Sequence, residues 1–77
     1  MSKELKALMG LKWTDIEGIA IALYEAHPDV DPMKVHFMDL REWIAGLQDW
    51  DDDIHRTNEA KLEAIQMAWL EEIRGDR

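Results

Sequence analysis

The chain contains no cysteine. Disulfide staples, thiolate metal sites, thiolate-held clusters and cysteine nucleophiles are therefore excluded. Serine occurs once, as Ser2, so no Ser-His-Asp triad can be assembled around a central nucleophile. Gly10, Gly18, Gly46 and Gly75 are scattered and form no glycine-rich phosphate loop. Basic residues are few: 9 Lys and Arg stand against 17 Asp and Glu, a net charge of −8. Duplex binding rests on neutralising phosphates with Lys and Arg, so this surface is a poor nucleic-acid partner. Acidity of this degree points to cations or to a basic protein surface. No apolar run approaches the ~20 residues of a membrane span. Ser2 to Met9 carries two Lys and one Glu and does not read as a secretory signal, so a cytoplasmic location is expected.

What is present is a dense set of large side chains. The 77 residues include four Trp, five Met, one Phe and one Tyr in a 47% hydrophobic composition. A single domain of this size buries roughly 60% of its unfolded surface, so those side chains must supply the core. Helix one is expected after Thr14, with Thr14 and Glu17 as a capping box and Asp15 in the first turn. Its apolar face is Ile16, Ile19, Ala20, Leu23 and Tyr24, and Pro28 ends it. Val35 and Phe37 alternate with Lys34 and His36, a short strand signal that would pair with Leu11-Lys12-Trp13. Helix two is expected from Asp39, which would cap it, through Leu40, Trp43, Ile44 and Leu47. Helix three is expected from Thr57 or Asn58 to Gly75, with a broad apolar band that suits a central position. The fold class is mainly α: a compact three-helix domain with a short extended element, winged-helix-like in order. Met9 could be an initiator, leaving residues 1–8 as a flexible extension and 9–77 as the domain.

Trp13, Tyr24, Phe37, Trp43 and Trp69 lie in phase with apolar faces and are expected in the core rather than in a ligand box. Trp50 either anchors the acidic segment that follows it or lies partly exposed at an interface. Asp51-Asp52-Asp53 is the strongest local anomaly. Three adjacent like charges are relieved by water near the start of helix three, or by a hard cation bound weakly through oxygen ligands, with Glu59 and Glu63 adding carboxylates. Asp29 and Asp31 stand between Pro28 and Pro32 in a stiffened turn. They are ordinary turn residues or carboxylates held in a defined direction. An EF-hand loop starting at Asp29 is excluded by Met33, Lys34 and Leu40. His27, His36 and His55 lack metal spacing and read as surface residues.

From Met9 onward the chain resembles the IscX family, small acidic accessory proteins of bacterial iron–sulfur cluster assembly. The pieces that carry the likeness are Gly10-Leu11-Lys12-Trp13-Thr14-Asp15, Pro28-Asp29-Val30-Asp31-Pro32, Val35-His36-Phe37-Met38-Asp39-Leu40, and Trp43-Ile44 with Leu47. They continue as Trp50-Asp51-Asp52-Asp53, Asn58-Glu59, Leu62-Glu63-Ala64-Ile65-Gln66 and Trp69-Leu70-Glu71-Glu72. Two places depart from the family pattern: Met38 stands where Thr is usual, and Ile54 where Pro commonly follows the aspartates. The resemblance implies a winged-helix-like fold and a non-enzymatic, monomeric adaptor. It implies docking on cysteine desulfurase through an acidic face, with Asp29, Asp31, Asp39, Asp51, Asp52 and Asp53 as partner-binding candidates. It also implies weak Fe²⁺ binding, for which Asp51, Asp52, Asp53, Glu59 and Glu63 are the candidate ligands, and no bound iron–sulfur cluster. The alternative is a helix-turn-helix regulator of transcription. Helix two offers Arg41 and Gln48, and helix three Lys61 and Gln66, as base-reading side chains, all among acids.

Overall fold

A computed structural model describes residues 10–75. The expected extension over residues 1–8 lies outside them. Three α-helices occur among the described residues: α1 (Ile16–Ala26), α2 (Phe37–Ala45) and α3 (Glu59–Gly75). A single 3-10 turn, Pro32–Lys34, joins the first two. The mainly helical expectation is met. No strand occurs among the described residues, so no β-hairpin wing accompanies the helices.

The first two helix starts differ from their sequence expectation by a physical detail, and the third agrees with it. Asp15, not Thr14, caps α1: its Oδ1 accepts from the Gly18 amide at 3.0 Å. A Cβ on Gly18 would lie 2.2 Å from Asp15 Oδ2, so glycine there leaves room for the cap. The α2 helix starts at Phe37, two residues before Asp39. Its cap position is His36, which supplies no side-chain hydrogen bond. Asp39 therefore sits inside the first turn, where its charge suits the helix dipole instead. Asn58, the second of the two expected caps, holds α3 by accepting from the Lys61 amide at 2.9 Å.

The expected strand over 35–37 does not form. The buried Gln66 side-chain amide, on α3, donates to the carbonyls of Pro32 (3.0 Å) and Val35 (2.9 Å). Those acceptors are spent on a side chain rather than on a ladder. Leu11 instead makes an isolated parallel bridge to Trp50.

The core gathers Trp13, Ile19, Ala20, Leu23, Leu40, Ile44, Leu62, Ile65 and Trp69. Helix α3 lies centrally and packs on α1, α2 and the 3-10 turn, as its broad apolar band implied. Full burial of each Leu or Ile contributes roughly 1.5–3 kcal/mol, so this one cluster is the main source of stability. Trp13 and Trp69 are buried, while Tyr24, Phe37 and Trp43 are half-buried and pack against the cluster. Trp43 meets Trp69 edge-on, with centroids 6.3 Å apart. His36 and His55 are exposed as expected. His27 is half-buried and stacks on Trp43 at 4.3 Å.

Candidate functional site: a latched acidic loop

The segment Asp51-Asp52-Asp53 is tied to Leu11-Lys12-Trp13 by a run of hydrogen bonds. Leu11 N–H donates to the Asp49 carbonyl (2.7 Å), and Asp51 N–H donates to the Leu11 carbonyl (2.9 Å). Trp13 N–H donates to Asp52 Oδ2 (3.0 Å), and the Trp13 indole N–H donates to the Asp53 carbonyl (2.7 Å). The Trp13 ring is almost wholly buried and meets Trp50 edge-on at 4.7 Å. Trp50 thus anchors the acidic segment to the body, the first of the two roles open to it. The latch joins two loops through a core side chain, which fixes the acidic loop at little further entropic cost.

The three carboxylates have different tasks. Asp52 is half-buried and accepts from Trp13 N–H through Oδ2 and from Asp53 N–H through Oδ1 at 2.7 Å. These two amides, the Trp13 contact foremost, hold its carboxyl below the ordinary value. Desolvation opposes them, and the charges of Arg56 and Lys12 add to the lowering. Asp51 is exposed; its Oδ2 lies 3.2 Å from Lys12 Nζ, which also donates to the Asp51 carbonyl at 2.7 Å. Such a surface pair contributes little to stability. Asp53 is exposed and accepts from His55 N–H through Oδ1 (3.0 Å), leaving its second oxygen toward solvent. Self-repulsion within the loop is thus relieved by backbone amides and one lysine.

Gly10 begins the latch with φ +77°, a left-handed conformation that glycine adopts freely. A Cβ there would approach Asp51 Cβ to 2.6 Å. Gly10, Lys12 and Trp13 therefore belong to the site, although sequence reasoning gave none of them a functional role. Their partners lie about 39 residues away, beyond any local pattern. The unused signal was the pairing of an indole donor with an aspartate-rich loop that needs donors.

The other candidates stand apart from this latch. Asp29 is exposed in the turn after α1, and Asp31 accepts from Met33 N–H at 3.0 Å as the cap of the 3-10 turn. Asp39 is exposed in the first turn of α2, and Glu59 and Glu63 are exposed on the first two turns of α3. Among the described residues no three Asp, Glu or His side chains converge so as to hold a metal ion. Both Asp52 oxygens are already engaged by amides. The carboxylates do not fit a closed cation cage.

Beside the acidic loop runs a groove lined by Lys12, Trp13, Thr14, Asp52, Arg56 and Lys61. Among the described residues no helix is long and apolar enough to cross a membrane.

A small, mainly helical domain presenting an acidic loop on a buried tryptophan has the build of a binding module. Residues 11–74 match the family described as iron–sulphur cluster assembly. The chain belongs to that family, the IscX family, as the sequence motifs implied. It is also similar to the uncharacterized protein PA3808 of Pseudomonas aeruginosa, with 55% identity over 64 residues that cover 83% of this chain and 97% of that relative. The family's description gives the chain a role in iron–sulfur cluster assembly.

Proposed function

We propose that the chain is a non-enzymatic cytoplasmic adaptor of iron–sulfur cluster assembly that docks on a basic patch of cysteine desulfurase through exposed carboxylates. One observation carries the reading: Asp51 and Asp53 are exposed on a loop whose backbone is pinned by the buried Trp13. A preformed loop loses little freedom on binding, so its charge goes into affinity and steering rather than into ordering. Asp29, Asp31 and Asp39, exposed on other elements, are further candidate contacts. Asp52 supports the loop from within and is the least available of the three aspartates. Such contacts speed association and weaken with salt, because exposed charges are screened beyond ~8 Å at physiological ionic strength.

Fe²⁺ enters this reading as cargo or effector, held weakly by one or two exposed carboxylates rather than by a closed ligand set. If it shares Asp51 or Asp53 with the desulfurase, each ligand must alter the other's affinity by the same factor. The test is calorimetric titration of this protein into purified cysteine desulfurase at low and moderate salt, with and without Fe²⁺. Saturable binding that weakens with salt, and weakens again in D51N/D53N, is the expected result. Absence of binding at low salt would overturn the reading.

A further inference from the structure

The basic side chains of residues 10–75 are Lys12, Lys34, Arg41, Arg56, Lys61 and Arg74. Three of these six, Lys12, Arg56 and Lys61, line one groove beside the acidic loop. Lys12 is engaged by Asp51. Neither the Arg56 guanidinium nor the Lys61 ammonium forms an ion pair among the described residues, although acids outnumber bases 17 to 9 in the chain. The groove's one carboxylate, Asp52, already accepts from two backbone amides. Among the described residues Lys61 thus has no ion-pair partner, and Arg56 feels the Asp52 charge only from beyond ion-pair distance, at the rim of the most acidic segment.

We propose that this groove receives a carboxylate side chain of the docking partner, so that the docking face is bipolar. Asp51 and Asp53 meet the partner's cations, and Arg56 and Lys61 meet one of its acids. The inference rests on the adaptor reading and adds to it a rule for orientation. An acidic patch against a basic patch steers encounter but tolerates many rotations. An adjacent site of opposite sign penalises the wrong ones, because a rotated complex sets like charges against each other. Arg56 suits the task, since its planar guanidinium can pair a carboxylate through two parallel N–H bonds.

Charge reversal separates this arrangement from a uniformly acidic face, because the two give opposite signs. R56E and K61E add negative charge to an already acidic surface. On a uniformly acidic face each would tighten binding to cysteine desulfurase. On a bipolar face each weakens it by about three- to tenfold in low salt, with the larger loss in R56E. Calorimetric titration of each variant into purified cysteine desulfurase reads the difference, with thermal melts confirming folding. R56Q and K61Q give the same signs at smaller amplitude and serve if a reversal fails to fold. Unchanged or tighter binding in the Arg56 and Lys61 variants, with D51N/D53N still weakening it, would overturn the bipolar face and leave the adaptor reading standing. Loss of sensitivity in both sets would sink the adaptor reading itself.

Discussion

The turn Asp29-Val30-Asp31 and the loop Asp51-Asp52-Asp53 are both acidic and both follow a helix, yet they are built in opposite ways. In the first, the carboxylate works locally: Asp31 accepts from the amide two residues on, and a distant group, Gln66 on α3, holds the 3-10 turn that follows through the carbonyls of Pro32 and Val35. In the second, the carboxylates and carbonyls both reach across the chain, to Lys12 and Trp13. The difference teaches that acidic composition does not indicate what an acidic segment does. One set of aspartates shapes a turn; the other closes the molecule and leaves two exposed charges on a fixed frame.

Trp13→Ala is expected to break this contrast most severely, because it opens a core cavity and removes the indole donor at one stroke. Loss of a buried Trp costs about 3–5 kcal/mol, a large part of the stability of so small a domain. Urea unfolding should show the drop, and Trp13→Phe should retain much of the volume while losing the bond to Asp53. Amide exchange should then quicken at residues 51–53 and stay unchanged at 29–35. Gln66→Ala is the mirror experiment. It strands the carbonyl of Val35 and takes one of two donors from that of Pro32, at about 1–3 kcal/mol, and should loosen 32–35 without freeing the acidic loop. If either variant loosened both segments, the two would not be independent.

Gly10→Ala probes the latch from its other end. The left-handed backbone alone costs an L-residue about 1–2 kcal/mol, and the approach of its Cβ to Asp51 adds to that. A lower urea midpoint is expected, with the helices retained by far-UV circular dichroism. The smallest effect concerns pH. Asp52 has a folded pKa below its unfolded one, so its contribution is fully present above the unfolded value. That contribution is lost as pH falls through the lowered folded value. The stability gap between the native protein and Asp52→Asn should therefore be widest near neutrality and close in acid. A gap that stayed constant would mean that Asp52 acts by shape alone.

The helices were legible because their apolar residues recur at helical spacing, and burial follows that spacing: Ile19, Ala20 and Leu23 in α1, Leu40 and Ile44 in α2, Leu62, Ile65 and Trp69 in α3. Helix starts were less legible. Thr14, Asp15 and Asp39 are all good caps by type, and only geometry selects Asp15 and dispenses with a side-chain cap on α2. The strand at 35–37 failed for reasons local alternation cannot carry: a glutamine from α3 takes the Val35 carbonyl, and α2 already begins at Phe37. At the site, the acidic loop stood out by composition. Its latch did not, since an indole N–H and a lysine some 39 residues upstream leave no periodic trace.

That separation also has a kinetic consequence. Joining chain segments 39 residues apart carries a ring-closure entropy near (3/2)RT ln n, about 3 kcal/mol. The bonds at Trp13 can offset it only after the helices have drawn both ends together. The latch should therefore assemble on the downhill side of the folding barrier. Substitutions there would accelerate unfolding while leaving the refolding limb of a chevron nearly unmoved. The acidic loop would then be the last part of the molecule to take shape and the first to be released.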